Sequence, residues 1–423
     1  MAYARKRLSP EEALNLDLLA SKTFRPRTPI ATRDLFAGRW DQIQTLVDAV
    51  NQTGLHAVIY GERGVGKTSL SNVLSPIVNT FDEVSKNKRI IVKTIASSED
   101  TFSTIWHSLF GQITWRDNRP VYGMVQGTKN PLTIRKAFEL GDTLTVDEVR
   151  KVVSLIPNSV YIIDEFDRAA HNASRNFTDL MKALSDFSVE CTVILVGVAE
   201  TIDALISDHA SISRALVQVL LPRMRPEELR EILTKAEESL SIKFTDEGAS
   251  LIVNLSQGLP HYTHLLGLHS VRMSAAKVTN YIERDAVFDA LKEAVRQAQQ
   301  SVTEKHTKAT RSAHQDALYR HVLLGCALAA THSRNALGYF NPGSVAGPLS
   351  RILNRSVQIA AFSHHLSEFC SDKRAEVLER TGQQRSYRFR FRDPLLVPYV
   401  LMDAMNSELI SRTGLAGMLG QEF

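Results

Sequence analysis

An apolar run, HAVIY (56–60), leads straight into GERGVGKT (61–68), and an amphipathic stretch, SLSNVLSPIV, begins at 69. No other segment of this 423-residue chain restricts its fold as tightly. The eight residues satisfy G-x-x-x-x-G-K-[ST] in full, with a strand-like entry and a helix-like exit. Gly61, Gly64 and Gly66 let the backbone curl so that several N–H groups face one phosphate chain. Glu62, Arg63, Val65 and Ser69 complete the loop and the first helical step, and their backbone shares that task. A helix opening near Gly66 adds its positive end. Lys67 is spaced to reach the β- and γ-phosphates, and Thr68 to offer a hydroxyl to magnesium.

YIIDEF (161–166) supplies the complementary half. An apolar strand here ends in two acids, and ligands gather at the carboxyl ends of strands in open α/β sheets. Asp164 is expected to hold magnesium through water, and Glu165 to polarise an attacking water. Alone, such a strand is a weak signal; beside the glycine loop it is a strong one. Together they imply ATP and Mg2+ as ligands, and hydrolysis of ATP to ADP and phosphate.

The remaining pattern gives an α/β fold with a parallel sheet between helices. Strand candidates at 89–96, 159–166, 191–199 and 217–221 alternate with helical stretches at 39–53, 101–115 and 146–156. Residues 117–143 are polar and turn-rich, with Pro120, Gly123, Gly127, Pro131 and Gly141, and read as an insertion. Residues 226–300 carry helical periodicity almost throughout. Helices at 314–331, 344–354 and 358–371 precede a strand–turn–strand around Thr381 and Gly382, the pattern of a winged helix. The expected domains are an N-terminal helix and extended arm (1–38), an ATPase core (39–224), a helical lid (225–305) and a winged helix (306–423).

Hydrophobic residues make up 43% and charged residues 23%, as in ordinary globular chains. No run approaches the length of a membrane span, and no apolar signal core opens the chain. Cys191, Cys326 and Cys370 have no metal-binding spacing and read as reduced thiols of a cytoplasmic protein. Residues 1–40 hold eight Lys/Arg against four Asp/Glu, and residues 301–423 hold fifteen against ten. Basic ends around an acidic middle place any nucleic-acid contact at the ends. In the hairpin, Arg388, Arg390 and Arg392 alternate with Tyr387, Phe389 and Phe391, so the arginines should share an outer face. Arg351, Arg355 and Arg385 add to the basic character of this module.

The order of pieces resembles AAA+ ATPases of the origin-recognition initiator type and their relatives, the STAND signalling ATPases. The resemblance rests on FAGRWDQIQTL, GERGVGKTSL, YIIDEFDR, TVILVGVA, LPRMRPEEL and GLPHYTHLLG, over roughly 34–300, and more loosely on RFRFRDPLLVPYV. It implies that Phe36–Arg39 lie near the adenine, with Arg39 in the nucleotide site. It also implies a polar sensor near Val198–Glu200, where this chain has Gly197, Val198 and Ala199, so the sensor is missing or displaced to Glu200 or Thr201. The lid arginine of initiators is replaced by Gly258-Leu259-Pro260-His261, and His261 is the candidate phosphate contact. Arg214 is the candidate arginine finger, with Arg223 next; a finger would make the active form a homo-oligomer.

Two functions follow. One is an ATP-controlled protein whose nucleotide state governs oligomerisation and binding of double-stranded DNA. The other is a STAND-type switch that activates a protein partner, as in defence against phage.

Overall fold

The structure is a computed structural model and describes residues 5–30, 36–85, 89–116, 119–122, 132–169, 171–199, 201–206, 212–312, 318–333, 338–383, 386–411, 414, 417 and 418. Glu200 and Arg385, and residues 117–118 and 123–131 of the 117–143 segment, lie outside the described residues. The chain forms two compact units, Pro29–Pro222 and Met1–Thr28 with Arg223–Phe423. The expected segment 1–38 is therefore divided near residue 28, and the expected lid and C-terminal module fall within one unit.

In Pro29–Pro222, five strands form one parallel sheet in the order Ile90–Ile95, Ser159–Asp164, Cys191–Val198, His56–Gly61, Leu216–Leu220. Val, Ile and Leu fill these strands because helices cover both faces of a parallel sheet. Ser159–Asp164 is buried along its whole length. Helices Trp40–Asn51, Lys67–Ser85, Phe102–Phe110, Val146–Ser154 and His171–Asp186 surround the sheet. Trp106 anchors one side, its ring 4.9 Å from Tyr161 and 6.1 Å from Phe177. Gly61 pairs with Val198, and Asp164 with Ile95, so the glycine loop and the acidic tip emerge at the same edge of the sheet.

Two expectations in this unit are corrected. The stretch 101–115 is helical only to Phe110; Ile113–Arg116 is a strand. Gly111 ends the helix, and the strand then pairs with Arg119–Tyr122 and Leu132–Thr133 in a small antiparallel sheet. The insertion is thus partly β-structure, with Trp115 against Phe138 at 4.9 Å. Its Pro and Gly residues mask the strand pattern, because a two- or four-residue strand is too short to show a period.

The other unit is mainly helical. Helices Pro226–Leu240, Asp246–Ser256, Pro260–Ala276 and Arg284–Gln297 form the segment expected to be a lid. This segment is not helical throughout: Lys243–Phe244 and Tyr281–Ile282 pair in parallel between its helices. The N-terminal helix Pro10–Thr23, opened by a Ser9–Glu12 capping box, packs on Pro260–Ala276. Phe24 fits against Gly267, where an added Cβ would come 2.4 Å from the ring, and Arg272 holds Asp17 at 2.9 Å.

Helices Tyr319–His332, Pro342–Ile352 and Ser363–Phe369 precede an antiparallel hairpin, Leu378–Thr381 with Arg388–Phe391. Phe340 pairs with Phe389 and adds a third, one-residue strand. The closing helix Leu396–Asn406 is almost wholly buried against Arg284–Gln297 and Tyr319–His332. Tyr262 donates a 2.6 Å hydrogen bond to the Leu395 carbonyl, tying the two helical segments together.

Candidate nucleotide site

Gly61 ends its strand at φ 151°, and an added Cβ would stand 2.4 Å from the Leu221 carbonyl oxygen. Only glycine lets the chain leave the sheet there. The turn delivers Lys67, whose residue is 8% exposed, to the first turn of its helix. Its ammonium donates to the carbonyls of Gly61 at 2.9 Å and Glu62 at 2.8 Å. Burial pushes this ammonium down to about 8, against the pull of the Asp167, Asp164 and Glu62 carboxylates. Val65 is buried, while Arg63 faces solvent.

Thr68 and Asp164 meet at this sheet edge: Thr68 Oγ1 donates to Asp164 Oδ1 at 3.4 Å. Asp164 is 2% exposed, and its Oδ1 also receives the Glu165 N–H at 2.9 Å. Its Oδ2 accepts no hydrogen bond, although the Lys93 ammonium lies 2.8 Å away as an ion contact. Lys93 directs its hydrogen bonds to Ser71 Oγ at 2.7 Å and Asn72 Oδ1 at 2.6 Å. A hydroxyl beside a buried carboxylate whose second oxygen meets only the Lys93 ammonium is a hard-oxygen donor set that fits magnesium.

Glu165 sits in the left-handed region at φ 52°, a conformation that costs a non-glycine residue about 1–2 kcal/mol. Its carboxylate is half-exposed and ion-paired with Arg168. Asp167 Oδ1 accepts the Val198 N–H at 2.8 Å and closes the tip of the acidic strand against its neighbour. Gly197 makes room for this, since an added Cβ would come 3.0 Å from that oxygen. At the expected sensor position the chain presents apolar Val198, 46% exposed.

Several candidates are committed elsewhere. Arg39, at φ 66° before Trp40–Asn51, is buried and donates to the Pro222 carbonyl. Ser69 Oγ accepts the Ile30 N–H at 3.1 Å, pinning the end of the N-terminal arm. In the other unit, His261 Nδ1 is 2.6 Å from the Pro26 carbonyl, so Nδ1 carries the proton and donates. Arg223 donates to the Gln257 carbonyl at 3.1 Å within that unit. Arg214 is exposed on the turn before Leu216–Leu220 and has no ion pair among the described residues.

The hairpin departs from its expected basic face. Phe389 and Phe391 are buried, as alternation requires, but Tyr387 is only half-buried. Arg390 pairs with Glu379 and covers the Tyr339 ring, and Arg392 pairs with Glu376 at 2.7 Å. Arg388, Arg351 and Arg355 remain exposed.

Lys93, Asp167 and Arg168 were not among the residues picked out from the sequence. A lysine inside the apolar run RIIVKTIA was the available signal for the first. The third acid of YIIDEFDR was the signal for the second. Cys191 and Cys326 are buried free thiols and Cys370 is a half-buried one. Among the described residues, no helix is long and apolar enough to cross a membrane.

The family model described as Novel STAND NTPase 1 matches residues 28–336. The comparison with curated proteins finds no match. Among solved structures, the chain is similar to the Aeropyrum pernix ORC2 protein in its ADPNP–ADP complexes, at 15% identity and TM-score 0.49, covering 94% of this chain and 97% of that one. It is similar to the Walker-type ATPase PABY2304 of Pyrococcus abyssi at 14% identity and TM-score 0.47, over 89% and 99% of the two chains. The A. pernix ORC1 protein in complex with DNA follows at 15% identity and TM-score 0.43, over 89% and 95%. The family match spans most of the chain and takes in both the glycine loop and the acidic strand; the chain belongs to the Novel STAND NTPase 1 family of P-loop NTPases.

Proposed function

We propose that this NTPase is a slow ATP-operated switch whose nucleotide state governs assembly with further copies and engagement of a protein partner. The observation that carries the reading is the joining of Lys67, Thr68 and Asp164 at one sheet edge, with Glu165 tied to Arg168 beside them. Backbone N–H groups of 61–68 and the Lys67 ammonium would hold the β- and γ-phosphates. Thr68 and Asp164 would hold magnesium, which when bound neutralises phosphate charge. Glu165 would accept the proton of the attacking water once released from Arg168. Arg214 is the residue this surface offers to a neighbouring copy. The side chains of Arg39, Ser69 and His261 are left out of this set, because each is bonded to a carbonyl or amide of its own unit.

Slow turnover is supported by the apolar sensor position and by the Glu165–Arg168 pair. We read the C-terminal helices and hairpin as a winged helix. Neutralisation of Arg390 and Arg392 by Glu379 and Glu376 favours a protein contact there. Exposed Arg351, Arg355 and Arg388 keep a second reading, in which the module grips duplex DNA.

ATP hydrolysis with and without duplex DNA, with light scattering and a Glu165→Gln control, tests the proposal. Slow turnover indifferent to DNA, together with nucleotide-dependent mass, supports the switch. DNA-stimulated turnover moves the assignment to the second reading. No nucleotide binding at all sinks both.

A further inference from the structure

Lys93 lies on the edge strand Ile90–Ile95, three hydrogen-bonded ladders away from the glycine-loop strand, and no step of the reaction above uses it. Its backbone pairs with Ile162, two residues before the acidic tip. From there its side chain reaches past the tip toward the helix Lys67–Ser85. The ammonium donates to Ser71 Oγ and Asn72 Oδ1, and Ser71 Oγ in turn donates to the Thr68 carbonyl at 2.9 Å. Lys93 is thereby held by the same helical turn that presents the Thr68 hydroxyl. It stands 2.8 Å from Asp164 Oδ2 without directing a hydrogen bond at it.

The arrangement has two consequences. A buried carboxylate facing only a backbone amide and a hydroxyl would carry an uncompensated charge whenever metal is absent. Lys93 compensates it. The same positive charge also lies beside the oxygens that a divalent cation, or its bound water, must approach, and repels that cation. Because Ser71 and Asn72 hold the ammonium, swinging into solvent when the metal arrives costs it two hydrogen bonds. Its side chain is only 23% exposed, so water screens the repulsion incompletely.

We propose that Lys93 is a positioning residue that serves as a built-in cation for Asp164 and sets how much magnesium the site needs. It keeps Asp164 ordered and paired in the metal-free state, and it weakens divalent-metal binding, so that the metal and Lys93 share one carboxylate. This rests on the magnesium–nucleotide reading of the site.

The test is binding of a fluorescent ADP analogue to the full chain at a series of free Mg2+ concentrations, for wild type, Lys93→Met and Lys93→Arg. Circular dichroism checks folding, and melting temperatures are taken in EDTA and in saturating Mg2+. Lys93→Met should lower the half-saturating Mg2+ about tenfold. It should also melt earlier than wild type in EDTA and recover more of that loss when Mg2+ is added. Lys93→Arg should stay within about twofold of wild type, because it keeps the charge. A Lys93→Met protein that folds but needs as much Mg2+ as wild type, or more, overturns the inference and leaves the nucleotide site standing. If Lys93→Met does not fold, Lys93→Gln is judged by the same midpoint. Nucleotide binding by wild type that is indifferent to Mg2+ overturns both the magnesium assignment and the role of Lys93.

Discussion

Arg168 holds the Glu165 carboxylate across a single turn, while the Glu165 backbone is fixed in the left-handed region by its bond to Asp164 Oδ1. The residue placed to polarise water is therefore anchored at its backbone and restrained at its tip. Removing the restraint should speed the reaction. Arg168→Ala is expected to raise basal ATP turnover several-fold and to change stability by no more than about 0.5 kcal/mol, since the pair is half-exposed. Glu165→Gln should lower turnover at least about 100-fold while leaving nucleotide affinity intact. Steady-state phosphate release and equilibrium binding check both. Slower turnover in Arg168→Ala would refute the restraint.

The Lys67 ammonium, pushed by burial down to about 8, predicts a pH-dependent affinity. In the free site it is charged below that value and neutral above it; bound phosphates favour the charged form. Affinity should therefore be level below pH 8 and fall toward tenfold per pH unit above it. Binding at pH 8.5 should take up a proton, visible by calorimetry in two buffers of different ionisation enthalpy. Lys67→Arg should abolish that uptake, because a guanidinium stays charged across this range.

Two histidines predict loss of stability in acid. His56 is fully buried, donates from Nε2 to the Met181 carbonyl at 3.0 Å and accepts the Val193 N–H on Nδ1 at 3.1 Å. Burial lowers it to about 4, and burial likewise lowers His264, in the other unit, to about 4. The unfolded chain takes up protons near 6.5, whereas the folded chain resists until about 4. Stability is therefore full above 6.5 and declines as pH falls through the window between them, by up to about 3 kcal/mol per histidine. Urea unfolding at pH 7 and pH 4.5 measures this. His56→Gln should be less stable at pH 7 but lose less on acidification.

The turn that opens GLPH tolerates little substitution. Gly258 has φ 80°, and an added Cβ would lie 2.7 Å from Arg223 Cβ and 3.0 Å from the Met224 carbonyl oxygen. Gly258→Ala should destabilise its unit by about 2 kcal/mol, read as an earlier transition in thermal melting.

Arginines of the C-terminal module divide by their partners. Arg390→Ala should lower the melting temperature, because it strips Glu379 of its ion pair and uncovers Tyr339. The triple replacement Arg351→Ala, Arg355→Ala and Arg388→Ala should leave melting unchanged. If duplex DNA is bound, the same triple should flatten the salt dependence of that binding by about three phosphate contacts.

The glycine loop and the acidic strand were legible in the sequence because their chemistry is local. Gly61, Lys67 and Thr68 lie within one eight-residue stretch, and the Ser159–Asp164 strand carries its acid at its own end. The five strands were legible too, since a buried parallel strand must be apolar along its length. The short strands near 113–133 were not, because two to four residues show no period. Lys93 was equally hidden: it lies far from Asp164 in the sequence and meets it only because the edge strand pairs beside the acidic strand. Arg390 read as part of an outer basic face until folding set Glu379 across the hairpin from it. Covalent neighbours and repeating hydrophobicity are written along the chain, whereas the partner that neutralises a charge is chosen by strand order and register, which exist only once the chain has folded.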